Sequence, residues 1–142
     1  QRKIRKMLPS SEIIGVPCPL FVPIVEEGWE NTDVAFITAK KYLLELKEHN
    51  IDSLVLGCTH YPALRYTINK VLGDKVTMVN PAYETAKATK ITLKERNLLS
   101  NRLDGGKCDY YVSDDPEKFK RVGGNILRKE IPSVQRVNIE NL

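Results

Sequence analysis

At 142 residues, 42% hydrophobic and 28% charged, the chain has the length and apolar content of one ordinary globular domain, which excludes a disordered tail or linker. Its formal charge of +4 comes from 22 basic and 18 acidic residues that alternate along the sequence, the pattern of a solvated surface and not of a nucleic-acid-binding arm. No apolar run approaches the roughly 18 residues a membrane span requires, and nothing at the start resembles a signal peptide.

Residues 1–8 read as the end of a charged, amphipathic helix stopped by Pro9-Ser10-Ser11. The opening at Gln1, with no Met and no strand before it, leads us to expect a piece of a longer protein. Glu12-Ile13-Ile14-Gly15-Val16 is a short apolar run suited to a buried strand. Pro17-Cys18-Pro19 then breaks regular structure, and residues 20–27 form a short helical or irregular stretch closed by Gly28.

From Asp33 to His49 the apolar residues Ile37, Tyr42, Leu43 and Leu46 recur at helical spacing, with Thr32 or Asp33 as cap and Asn50 as stop. Residues 51–56 form a strand whose Leu54-Val55-Leu56 run suits burial on both faces of a parallel sheet. Pro62 starts the next helix, with Leu64, Ile68, Val71 and Leu72 on its apolar side and Gly73 beyond its end.

A short strand at 76–79 leads through Asn80-Pro81 to a long helix over 83–99, then a turn-rich loop containing Asp104-Gly105-Gly106. Residues 109–112 make another strand, Asp115 caps a helix running to about Leu127, and residues 134–139 make a last strand. Strands alternating with helices predict an α/β fold with a mainly parallel sheet and flanking helices, because parallel neighbours need crossover connections.

Ligands of open α/β sheets collect at the carboxyl ends of strands, which directs attention to the residues just beyond Leu56. There stands Gly57-Cys58-Thr59-His60-Tyr61-Pro62, a strand-to-helix turn in which the helix N-terminus and His60 favour a thiolate at Cys58. The competing reading is a buried cysteine that behaves as a small hydrophobe. Cys18, Cys58 and Cys108 are odd in number and widely spaced, which argues against a disulfide framework or a paired-ligand zinc site and points to a reducing cytoplasm. Gly105-Gly106 and Gly123-Gly124 lack the lysine and hydroxyl pattern of a phosphate loop, so no nucleotide cofactor is expected.

The string from Leu56 to Pro62 closely resembles the second cysteine motif of bacterial glutamate racemases. The segment from Cys18 to Gly28 resembles the family's upstream glutamate-bearing segment, and Asn80-Pro81-Ala82 and Ser113-Asp114-Asp115-Pro116-Glu117-Lys118-Phe119 resemble later ones. The resemblance runs through essentially the whole chain in the family's order. It implies a cofactor-independent, metal-free, cytoplasmic isomerase that interconverts L- and D-glutamate for peptidoglycan, hence cell-wall biogenesis and cell shape.

In that family each of two α/β domains contributes one cysteine, one acting as thiolate base while the other donates a proton from the opposite face. By resemblance Cys58 is the second of them, on the face used with L-glutamate. His60 assists proton transfer and contacts substrate, Thr59 binds substrate, and Glu26 is the acidic helper, with Glu27 as the alternative. Residues 1–83 then belong to the second racemase domain, the second lobe of the two-domain fold. Residues 84–142 are the C-terminal segment that returns to the first.

The N-terminal half, with the first cysteine, has no counterpart in the sequence, so the chain alone is expected to be inactive. The partners expected are glutamate and that missing half, with neither nucleic acid nor membrane, and a homo-oligomer is left open. The alternatives are another amino-acid or hydantoin racemase, or a non-catalytic ligand-binding fragment.

Overall fold

The computed structural model describes residues 2–141. Six α-helices occur in them: α1 (Arg2–Met7), α2 (Phe21–Glu26), α3 (Asp33–Glu48), α4 (Arg65–Leu72), α5 (Pro81–Glu95) and α6 (Pro116–Leu127). The strands are β1 (Ser53–Val55), β2 (Thr77–Val79), β3 (Tyr111–Val112) and β4 (Gln135–Arg136), and two 3-10 segments lie at Tyr61–Leu64 and Ile139–Asn141.

All pairing among the described strands is parallel, as the alternation of strands and helices predicts, but it is divided between two two-stranded sheets. β1 pairs with β2 in the register Ser53 to Thr77 and Val55 to Val79. The ladder extends at both ends, where Leu56 N–H donates to Val79 O at 3.0 Å and Thr77 N–H to Asp52 O at 2.8 Å. The connection between them is the 3-10 turn and α4, a strand-helix-strand crossover. β3 and β4 repeat the arrangement around α6, with Val112 opposite Arg136.

Helix boundaries reflect local chemistry. Thr32 caps α3, its hydroxyl accepting from Ala35 N–H, and Asn50 adopts φ 49° just past the end, the left-handed conformation that ends helices. Asn80 caps α5 through Ala82 N–H, with Pro81 at the first helical position, where the missing N–H costs no hydrogen bond. α5 therefore begins two residues before the expected 83 and ends at Glu95, short of the expected 99. Asp115 accepts from both Glu117 and Lys118 N–H groups to start α6.

The core lies between α2, α3, the 3-10 turn, α4 and the inner face of the first sheet. Phe21, Leu64 and Ile68 are its largest fully buried side chains, joined by Ile24, Val25, Ala35, Ala39, Leu43, Leu46 and Leu56. Two sequence expectations fail around it. Residues 12–16 form no strand: the β1–β2 sheet stops at two strands, and these residues enter no ladder with it. Ile14 and Val16 instead pack as partly buried side chains against the core. The run Leu54-Val55-Leu56 is not covered on both faces: Leu56 is buried while Val55 is 52% exposed, since helices cover only one side of the β1–β2 pair.

Candidate active site

The turn after β1 carries the residues that sequence reading singled out. Leu56 is buried as its last anchor, and Tyr61 N–H donates to Cys58 O at 3.2 Å to begin the 3-10 segment. Cys58, Thr59 and His60 are thus presented side by side between a strand end and a helix start. Tyr61 pins the turn from below: its ring meets Phe21 edge-on at 5.3 Å and its hydroxyl donates to Cys18 O at 3.2 Å. Phe21 meets Tyr42 in the same way at 5.4 Å, so α3, α2 and the turn are locked through one buried ring.

That lock brings the C-terminal end of α2 to the turn. Glu26 Oε1 lies 3.6 Å from His60 Nε2, and on the other edge of the ring His60 Nδ1 lies 3.8 Å from Cys58 Sγ and 3.4 Å from Thr59 Oγ1. The four predicted residues therefore form one chain of contacts, Glu26 to His60 to Cys58, with Thr59 beside the same ring nitrogen. Glu27 is exposed at the cap of α2, and the carboxylate that reaches His60 is that of Glu26. A thiol, an imidazole and a carboxylate in series can hold a proton at sulfur and adjust charge behind it.

Sequence reading missed two residues of this environment. Lys118 Nζ lies 2.8 Å from Glu26 Oε2, and Arg121 donates to the main-chain carbonyl of Glu26 at 2.8 Å. Both come from α6, more than ninety positions along the chain, and no local pattern signals so distant an approach. Hydrogen bonding and charge from Lys118 hold the Glu26 carboxyl below the usual glutamate range, and Glu26 in turn raises Lys118.

The other thiols lie in different surroundings. Cys18 is buried beneath Tyr61, and desolvation pushes it up to about 11, so it stays protonated at neutral pH. Cys108 is exposed in the loop before β3, and all three cysteines are free. His49, at the end of α3, lies 3.7 Å from Glu12. Among the described residues no group of three or more His, Cys, Asp or Glu side chains converges as a metal site would, and no helix is long and apolar enough to cross a membrane.

No protein-family model matches the chain. A glutamate racemase of Geobacter metallireducens is 41% identical to it over 98% of this chain and 52% of the relative. One from Thermoanaerobacter pseudethanolicus is 38% identical over 99% of this chain and 53% of the relative. Among solved structures, the Francisella tularensis glutamate racemase in complex with D-glutamate superposes with a TM-score of 0.88 at 33% identity, over 99% of this chain and 53% of that one. The chain spans about half the length of the curated relatives it matches. Along nearly its whole length, in sequence and in fold, the chain is similar to glutamate racemases and fits the C-terminal part of one.

Proposed function

We propose that this chain supplies the second proton-transfer thiol of a glutamate racemase, Cys58, and one wall of a site that interconverts L- and D-glutamate. The observation that carries this reading is the contact chain from Glu26 through His60 to Cys58, built on the very residues that resemble the family's motif. The substrate assignment draws support from the Francisella relative, whose structure holds D-glutamate.

Racemisation removes the weakly acidic α-proton from one face of glutamate and returns a proton to the other, so two acid-base groups must flank the carbon. In one direction the Cys58 thiolate takes the proton and becomes a thiol while a second thiol, across the substrate, gives up its own and becomes a thiolate. The roles exchange in reverse. His60 adjusts the charge at Cys58, Glu26 orients the imidazole, and the Thr59 hydroxyl is available to the substrate's polar groups.

The second thiol comes from the half that this chain does not cover, and residues 84–142 pack against that half. Consistent with this, α5 has no buried residue in its fifteen positions, and Tyr83 and Ile91 stand open on it. On this reading the chain alone is inactive, the complete enzyme works in the cytoplasm, and its D-glutamate serves peptidoglycan synthesis and so the cell wall and cell shape.

The test joins this chain to the first half of a glutamate racemase and measures D-glutamate formation together with hydrogen exchange at the α-carbon. Interconversion by the joined protein, none by the 142-residue chain, and a loss on the order of 10²–10⁴-fold in Cys58→Ala are expected. Full exchange in Cys58→Ala, or turnover by the isolated chain, would overturn the assignment.

A further inference from the structure

The contact chain does not end at Glu26. Its carboxylate is divided: Oε1 faces His60 at 3.6 Å and Oε2 faces Lys118 at 2.8 Å. The main-chain carbonyl of the same residue, one of those left without a helical partner at the end of α2, accepts from Arg121 at 2.8 Å. α6 thus grips one residue by two separate groups. It also passes close to Gly28, where an added Cβ would stand 3.6 Å from Asn125 Nδ2.

The gripping end of α6 is itself fixed. Asp115 accepts from the Lys118 N–H at 3.1 Å in the first turn, and Phe119 packs its ring 6.2 Å from that of Tyr110. A glutamate side chain at a helix end loses several freely rotating bonds when it orders. The ammonium on one oxygen restricts that freedom before the imidazole is engaged, while the guanidinium on the main-chain carbonyl fixes the backbone from which the side chain leaves. The remaining oxygen is then left pointing at His60.

We propose that Lys118 is a positioning residue of the site: it holds the Glu26 carboxylate so that its free oxygen is presented to His60, and acts on Cys58 only through that pair. The proposal rests on the reading of Glu26, His60 and Cys58 as the proton-handling set. It makes α6, which contributes no group to the turn itself, a third supporting element beside β1 and α2. The hold depends on a charged donor of sufficient reach, so an arginine replaces the lysine and a methionine of similar length does not.

Two measurements test it. In the 142-residue chain, carboxyl-carbon NMR tracks the titration of Glu26, identified as the resonance lost in Glu26→Gln. Lys118→Met is expected to raise the midpoint toward the ordinary glutamate range, while Lys118→Arg leaves it near the parent value. In the joined protein, Lys118→Met is expected to lower kcat for racemisation at neutral pH by about two- to fivefold, the range a half-exposed ion pair supports, with KM unchanged and kcat restored in Lys118→Arg.

An unmoved Glu26 midpoint, an unchanged kcat in Lys118→Met, or an equal loss in Lys118→Arg would overturn the proposal. Absence of racemisation by the joined parent would overturn the functional reading, and the titration would then decide the Lys118 hold by itself.

Discussion

The two strand-helix-strand units of this chain share a topology and differ in almost everything that gives them stability. β1–α4–β2 sits on a closed apolar core, with Leu64 and Ile68 almost wholly buried. In β3–α6–β4 the helix has no buried residue, and Ile131, in the loop after α6, is the buried hydrophobic among its described positions. Each unit places a polar turn at the carboxyl end of its first strand, with proline opening the helix beyond. The first turn presents Cys58, Thr59 and His60, whereas the second spends Asp115 on capping α6. One fold motif thus serves two structural purposes: the first unit presents a cysteine, a threonine and a histidine in its turn, and the second places a helix whose Lys118 and Arg121 meet Glu26.

The widest expected contrast is between thiols. With its pKa raised to about 11, Cys18 carries a thiolate fraction at pH 8 of only about one part in a thousand, and its burial blocks access as well. Iodoacetamide at pH 8 with subsequent peptide mass mapping is expected to label exposed Cys108 and half-buried Cys58 while sparing Cys18. Labelling of Cys18 at a comparable rate would mean that the lock of Phe21, Tyr42 and Tyr61 opens readily. Because the raised value lies above the assay range, raising the pH to 9 still leaves Cys18 mostly protonated.

Stability should divide between the units in the same sense. Leu64→Ala empties a fully buried position in the first unit and is expected to cost about 2–5 kcal/mol in urea unfolding. Val122→Ala, at a half-buried position on α6, is expected to cost about 1 kcal/mol or less. Equal losses would erase the distinction. The smallest of these effects is local: Asp115→Ala removes the acceptor of two N–H groups and should cost about 1 kcal/mol, mainly as faster amide exchange in the first turn of α6.

The sequence made the first unit legible because its signals are local. Pro62 and Gly73 mark its helix ends, as Thr32 and Asn50 mark those of the preceding α3, by backbone chemistry that acts within a few residues, and the apolar spacing of Leu64, Ile68 and Val71 marks the buried face. The turn from Gly57 to Pro62 drew attention by its place at a strand end, and its resemblance to the racemase motif supplied the expected roles of its residues. The failures are non-local. Glu12 to Val16 has the composition of a strand but enters no ladder among the described residues, and Val55 is half-exposed on the outer face of its sheet. Which of Glu26 and Glu27 lies beside His60 depends on the direction in which α2 ends, and Lys118 and Arg121 reach Glu26 only because α6 folds back to it.

α5 has a consequence of a different kind. A free helix of fifteen residues is marginal in water, since the cost of its first turn is barely recovered without tertiary packing. Its Asn80 cap and the pair of Glu84 with Lys87 at 3.1 Å add only local support. The amide protons of α5 are therefore a built-in gauge of company: they exchange quickly while the helix stands alone and slow down when another surface covers it.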